Sequence, residues 1–293
     1  MPDLFSSKIK MKKSAKNIQA WKSVSDVWGS LKPPLRPSPG EIKIYERFLK
    51  KTLSNNSSRR ALLFGATPEL RDLLAKYKFE VTLIDVNPAM VKATTKLLKR
   101  KNHREKIIIG DWLKIKLPQN YYDLAMGDHI IGNVNFKKWN HFFSLVTKLL
   151  TKNGYFLTNV QLSFPVKRSL AFKNLIKLYI KNPKRFNDTE YKWQMLYQMM
   201  YSDKKFCGNH DYMITWPAIP QIQKELKLMN MSMDIKQIAQ LADYIYVKEF
   251  KYCSPPRAIF EKIFKKYFKI VSSDINRQHP VYQSYRIYLA ENH

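Results

Sequence analysis

The sequence has only two cysteines in 293 residues, Cys207 and Cys253. They stand far apart and in no metal-ligand spacing, which excludes a disulfide framework and a cysteine-based zinc site. Two reduced thiols in a cytoplasmic protein are expected. Long apolar runs are also missing. No stretch of about 18 apolar residues occurs, so no membrane span is expected. The opening residues "MPDLFSSKIKMKKSAKN" are basic but lack the apolar block and small-residue cleavage site of a secretory leader. Acidic residues are few, 23 against 52 basic, for a formal net charge of +29. Such a charge invites a nucleic-acid reading. Yet 40 of the 52 are lysine and 12 arginine, scattered along the chain, whereas specific phosphate recognition draws on arginine forks and clustered stripes. Nucleic acid therefore ranks behind small or peptide-like molecules as a partner. The oligomeric state is not legible.

Glycine is scarce too, eight in all. The stretch "ALLFGATPEL" (61–70) reads as a buried strand that stops at Gly65 and turns into a helix. A pyrophosphate cradle needs G-x-G-x-x-G. Here Ala66, Thr67, Pro68 and Glu69 follow instead, which suits a ligand without phosphate. Thr67 is expected to cap the helix and Pro68 to open it.

What is present is a regular alternation. Glu41–Leu53 has helical periodicity, with Ile42, Tyr45, Leu49 and Leu53 on one face. Strands are expected at 61–64, 80–84, 107–109, 122–126 and 155–160. Helices are expected at 68–76, 88–101 and 136–150, the last stopped by "KNG" at 152–154. This predicts an α/β fold with a doubly wound parallel sheet. Residues 161–266 are helical in character. Two strands, "KYFKIVSSDI" and "VYQSYRIYLAE", then close the chain through a loop too short for a parallel crossover, so they should be antiparallel.

The expected strand ends are small or acidic, and ligands of open α/β sheets bind at the carboxyl ends of strands. Asp85 ends the second strand, 20 positions after Gly65, where an acid accepts from ribose hydroxyls. Val86, Asn87 and Met90 follow, with apolar contacts for a purine face and an Asn-Pro helix cap. Gly110, Asp111 and Trp112 end the third strand, an acid and an indole suited to adenine. Gly127, Asp128 and His129 end the fourth, nearest a reacting group.

The ordered set "GATPE", "IDVNPAM", "GDWL" and "DLAMGD" resembles class I S-adenosylmethionine (SAM)-dependent methyltransferases over roughly residues 40–160 and 265–291. The upstream "LRPS" with "FGATPEL" resembles a bacterial subgroup of that family. The resemblance implies a Rossmann-like seven-stranded sheet with a C-terminal antiparallel hairpin and a helical insertion. It implies SAM as cofactor and S-adenosylhomocysteine as product. Asp85 would be the ribose acid, Asp111 the adenine-side acid, and Asp128 the residue beside the methionine part. An N-terminal segment would fold over the cofactor, bringing Trp28, Arg36 and Tyr45, with Arg36 placed to pair with a carboxylate. No Asn/Asp-Pro-Pro-Tyr, Pro-Cys or acidic metal cluster accompanies these motifs. The implied domains are 1–53 (tail and covering segment), 54–160 (cofactor-binding core), 161–266 (helical substrate lid) and 267–293 (closing hairpin).

His129 is the candidate base and Asp128 its orienter or a cofactor ligand; a base is needed only where the nucleophile loses a proton. No metal is expected. Tyr197, His210, Tyr212 and Trp216, in the aromatic and Met-rich insertion, are the candidate substrate-side residues. The expected activity is methyl transfer to a small-molecule or peptide-like acceptor. An RNA methyltransferase and a non-catalytic SAM-binding scaffold are the alternatives. A nicotinamide dehydrogenase is disfavoured by the lone glycine.

Overall fold

The computed structural model describes residues 28–53, 58–163, 213–215 and 251–292. A 3-10 turn, Trp28–Ser30, precedes helix α1, Pro39–Thr52. Ser38 opens α1 through a reciprocal capping box. The Ser38 hydroxyl accepts from the Glu41 amide at 3.2 Å, and the Glu41 carboxylate accepts from the Ser38 amide at 2.9 Å. The buried face of α1 is Glu41, Ile44, Tyr45, Phe48, Leu49 and Thr52. This corrects the expected face. Ile42 and Leu53 are only partly buried, because the helix turns its capping glutamate, and with it Ile44 and Phe48, toward the sheet.

Strand β1 (Arg60–Phe64), helix α2 (Pro68–Lys76), β2 (Glu80–Asp85), α3 (Pro88–Thr95) and β3 (Glu105–Ile109) form the first wound half. β4 (Tyr122–Asp128), the short α4 (Ile130–Asn133), α5 (Trp139–Leu149) and β5 (Leu150–Gln161) form the second. A small antiparallel pair, β6 (Met213–Thr215) and β7 (Lys251–Cys253), stands apart from the main sheet. Helix α6 (Arg257–Phe264) and strands β8 (Phe268–Asp274) and β9 (Tyr285–Asn292) finish the chain. The sheet has seven strands in the order β3-β2-β1-β4-β5-β9-β8. β1 to β5 pair in parallel, and β9 runs antiparallel to both β5 and β8. The doubly wound sheet and its closing hairpin are as expected.

Two boundaries differ most. α3 ends at Thr95, well before 101. The amides of Lys99 and Arg100 bind the Asp72 carboxylate at 3.0 and 2.9 Å, so that chain is held by a side chain instead of a helix. β5 begins at Leu150, and "KNG" lies within it, where the register against β4 shifts between Tyr122 and Leu124.

Each face of the sheet is buried. On one, Leu63, Leu83 and Met126 meet α1 and α2 through Tyr45, Phe48, Leu70 and Leu74. The other is dense in aromatics: Phe64, Phe142, Phe143, Phe156, Phe260, Phe264 and Phe268. Phe260 and Phe264 of α6 stack at 4.9 Å and seal it. Each buried ring contributes about 1.5–3 kcal/mol of transfer free energy. Together these two layers fix the carboxyl ends of β1, β2, β4 and β5 along one rim. Among the described residues no helix is long and apolar enough to cross a membrane.

Candidate active site

The first part of the rim is built by short-range geometry. β1 hands over to Gly65, whose φ of 82° lies in the left-handed region that favours glycine. A Cβ there would stand 3.9 Å from the Trp112 ring and narrow the gap between the strand end and the indole. The Gly65 amide donates to Ile84 O at 2.9 Å, carrying the turn toward β2. Asp85 is 9 % exposed. One oxygen accepts from the Ala66 amide at 3.1 Å and the other from the Asn87 amide at 2.8 Å. The Val86 amide also bonds this carboxylate, so three of roughly four lone-pair sites are used and one is left for a ligand hydroxyl. Burial pushes the Asp85 carboxyl up to about 6, against the lowering effect of the amides.

Asn87 caps α3 as expected, accepting from Ala89 and Met90 amides at 2.9 and 3.3 Å. Val86 is half-buried and Met90 buried. Trp112 donates its indole N–H to Ile84 O at 3.0 Å and meets Phe64 edge-on at 5.9 Å, so it leans over the end of β2 beside the half-buried Gly110. Two neighbours behave differently from expectation. The Thr67 hydroxyl makes no capping bond, though the residue is buried at the head of α2. Asp111 is exposed; its carboxylate accepts from the Leu113 amide at 3.0 Å and faces Lys114 at 3.8 Å, within its own turn.

The second part is assembled from distant elements. Arg36 Nε donates to Glu69 Oε1 at 2.7 Å, and the buried Glu69 Oε2 has no partner. The cation that was expected to meet a ligand carboxylate is thus already paired with an acid. The hydroxyl of fully buried Tyr45 donates to Gly127 O at 2.9 Å, lies 3.3 Å from Asp128 Oδ1, and accepts from the Asn159 amide at 2.8 Å. Glu41 Oε1 accepts from Asn159 Nδ2 at 2.9 Å. His129 has a φ of 53°. Its Nε2 lies 3.4 Å from Asn159 Nδ2 and 3.9 Å from Asp128 Oδ1, and its buried Nδ1 has no partner. Tyr285 stands edge-on to the imidazole at 5.0 Å, and Tyr252 donates to His129 O at 3.2 Å. Trp28 belongs to the apolar cluster that holds Met90 and Val91, and its indole N–H is buried without a partner.

Burial governs the charge states here. It raises Asp128 to about 7, helped by the Glu69 charge, and Glu41 to about 7, helped by Asp128. It lowers His129 to about 4, partly offset by Glu41. Two acids near neutrality therefore flank a neutral imidazole.

Among the expected residues, Gly65, Ala66, Asp85 and Trp112 converge, as do Arg36 with Glu69 and Tyr45 with Gly127, Asp128 and His129. Tyr197, His210, Tyr212 and Trp216 lie outside the described residues. Glu41 and Asn159 were missed. "SPGE" at 38–41 carries the S-x-x-E capping signature, and Asn159 lies near the carboxyl end of a parallel strand, where ligands gather. Neither pattern says that the two meet. Among the described residues no group of three His, Cys, Asp or Glu could hold a metal ion.

Residues 64–154 match the family model described as "Methyltransferase domain". The stretch from the end of β1 into β5 therefore carries a methyltransferase domain, and the sheet order is that of the SAM-dependent methyltransferase fold. No curated protein matches the sequence. Solved structures superpose over nearly the full length. The CcbJ methyltransferase of Streptomyces caelestis is 11 % identical, with 92 % of this chain and 96 % of that one covered and a TM-score of 0.54. The 1,6-didemethyltoxoflavin N1-methyltransferase of Burkholderia thailandensis is 10 % identical over 100 % and 92 %, with a TM-score of 0.53. A Rhodobacter sphaeroides protein described as a zinc-dependent alcohol dehydrogenase is 13 % identical over 95 % and 99 %, with a TM-score of 0.55. At such identities the likeness is one of fold alone.

The methyltransferase domain fits its cofactor on two observations. The gap between Gly65 and Trp112 is one that a Cβ would begin to fill. Glu69 Oε2 and Asn159 Oδ1 are buried acceptors without protein donors, which a ligand carrying an ammonium group and hydroxyls can supply.

Proposed function

We propose that this methyltransferase acts on a small-molecule or peptide-like acceptor. The carrying observation is the walled end of the site at β4 and β5. Tyr45 and Asn159 have no exposed surface and Glu41 is 1 % exposed, so side chains from α1, β4 and β5 close that end. Walled, largely buried sites suit small ligands and chain ends better than a polymer backbone.

Bound SAM supplies an activated methyl group. The chain's own residues hold, orient and exclude water. Gly65 and Ala66 offer backbone, and Asp85 accepts a hydroxyl. Val86, Asn87, Met90, Gly110, Asp111 and Trp112 flank the adenine side, with Trp112 the main apolar surface. Thr67, Glu69, Gly127, Asp128, Arg36, Tyr45 and Trp28 belong to the methionine side, where the Arg36–Glu69 pair presents one carboxylate oxygen to an ammonium group. Helix α1 packs over the core on the Tyr45 side, and β8 and β9 of the 267–293 hairpin close the sheet.

The proton roles of Asp128 and His129 are best divided by their surroundings. An imidazole lowered to about 4 is neutral at pH 7 but a weak base, whereas a carboxylate raised to about 7 is matched to that pH. Asp128 therefore takes the proton of an acceptor N–H or O–H, and His129 positions the acceptor.

The test is calorimetric titration of SAM, and separately NADH, into protein stripped of copurified cofactor, followed by labelled-methyl transfer to fractionated extract. Label in the small-molecule or peptide fraction is the expected result. Label in RNA overturns the acceptor assignment. SAM binding with no transfer to any fraction makes the protein a scaffold, and absence of SAM binding overturns the cofactor site.

A further inference from the structure

The basic residues are not evenly spread over the fold. Between 92 and 106, seven of fifteen residues are basic: Lys92, Lys96, Lys99, Arg100, Lys101, Arg104 and Lys106. The whole chain has 52 in 293. The acids nearby are already engaged. Glu105 pairs with the buried Arg71 at 2.6 Å, and Glu80 with Arg104 at 3.2 Å. Asp72 is occupied by the Lys99 and Arg100 amides. Lys92, Lys96, Lys99, Arg100, Lys101 and Lys106 are all exposed and have no ion pair among the described residues. Elsewhere Arg47, Lys76 and Arg257 are matched by Asp274, Glu46 and Glu261, and unmatched lysines such as Lys137, Lys138, Lys148 and Lys262 stand in ones and twos instead of a cluster.

The loop is also braced. Asn102 Nδ2 donates to Phe79 O at 3.0 Å, and Asn102 Oδ1 accepts from the Arg104 amide at 3.0 Å. Short polar side chains thus hold the backbone from within while the long cationic ones stay in solvent. A favourable helix-end position accounts for Lys92 and Lys96 alone.

We infer that the α3–β3 loop with the adjoining edge of β3 is a docking surface for the phosphodiester backbone of nucleic acid. Six uncompensated cations, four on the braced loop with Lys92 on α3 and Lys106 on β3 beside it, complement a polyanion through counterion release, with no need for base recognition. A lipid surface fits less well. Binding in a membrane interface needs an exposed apolar face, whereas α3 buries Met90 and Val91, and Leu97 and Leu98 are half-buried. The exposed Ile107 and Ile109 of β3, next to Lys106, are two side chains only and fall short of an apolar helix face. The loop precedes β3, at the amino ends of the parallel strands, while the methyl-transfer residues sit at the carboxyl ends. Nucleic acid held here is a partner that localises the enzyme, not the methyl acceptor, so the inference stands apart from the acceptor assignment.

The experiment uses the full chain, a fluorescent 20-base-pair RNA duplex and phosphatidylserine vesicles. Lys99→Glu/Lys101→Glu/Lys106→Glu is compared with Lys148→Glu/Lys262→Glu/Lys266→Glu, which makes the same charge change at exposed positions elsewhere. Duplex affinity at low salt should fall at least tenfold in the first variant and less than threefold in the second. The slope of log K against log salt should shrink by roughly 2 to 3 in the first variant only. SAM affinity should be unchanged in both. Equal losses in the two variants would show a diffuse net-charge effect and overturn the assignment. Tight vesicle binding without duplex binding would overturn it in favour of lipid.

Discussion

At the ends of β1, β2 and β3 the site is held by hydrogen bonds over shorter separations, none above the 28 positions between Trp112 and Ile84. Asp85 binds Asn87, two positions away, and Ala66, 19 away, while Asp111 binds Leu113 within its own turn. At the ends of β4 and β5 it is held across the chain: Tyr45 reaches Gly127 over 82 positions, and Glu41 reaches Asn159 over 118. In the proposed site the first region offers an adenosine-like ligand local turns and one acid. The second concentrates buried acids whose proton affinity is set by desolvation. Local turns are cheap to form and tolerate change. A buried polar network requires every member, because a group left without its partner costs its full desolvation.

The largest effect that tests this contrast is at Asp85. Asp85→Ala should weaken SAM about 100-fold, from the loss of a charged hydrogen bond worth roughly 3 kcal/mol, read by calorimetry. An affinity within threefold of the wild type would remove Asp85 from the site. Next comes Glu41, where the remote region should show in stability. Glu41→Ala deletes a cap and strands Asn159 Nδ2, for about 2–4 kcal/mol in a denaturant titration. Glu41→Gln should recover much of it. If both variants unfold like wild type, the cross-chain network carries no stability.

The pH dependence of the cofactor-free protein is a further test. Folding raises Asp85 to about 6, and Glu41 and Asp128 to about 7. A raised carboxyl keeps its proton in the folded state when the unfolded chain has lost it. Its contribution is complete below about pH 4 and disappears as pH climbs through the folded values. His129, lowered to about 4, acts the other way, costing stability as pH falls from about 6.5. Three groups oppose one, so the melting temperature should decline between about pH 5 and 7 at low salt. Saturating SAM should flatten the decline, and Glu41→Gln should shallow it. A melting temperature rising over that interval would contradict the assigned charge states. The smallest effect is expected at Asp111. Its exposed carboxylate serves its own turn, and Asp111→Ala should change SAM affinity less than about threefold, as for other weakly coupled surface groups. A loss as large as that of Asp85 would erase the distinction between the two acids.

Most of the first region was legible. Strand, glycine, helix and acid recur at short spacings, and hydrophobic periodicity places them, so Gly65, Asp85, Asn87 and Trp112 could be read in order. Asp111 could be read as a strand-end acid but not as an exposed one, since exposure depends on what packs above. The face of α1 was misjudged because apolar periodicity counts Ile42 and Leu53 but is blind to a glutamate turned inward by its capping partner.

By itself the sequence determined the α/β alternation, the closing antiparallel hairpin, the strand-end acids and the excess of positive charge. All of these follow from residue type and spacing along the chain. Only the tertiary structure decided that Glu41 and Asn159 meet, that Arg36 pairs with Glu69, that His129 is held neutral, and that six unmatched cations cluster in and beside one loop. The reason is physical. Spacing fixes what neighbours in sequence can do, whereas desolvation and ion pairing depend on which distant groups packing brings within about 4 Å.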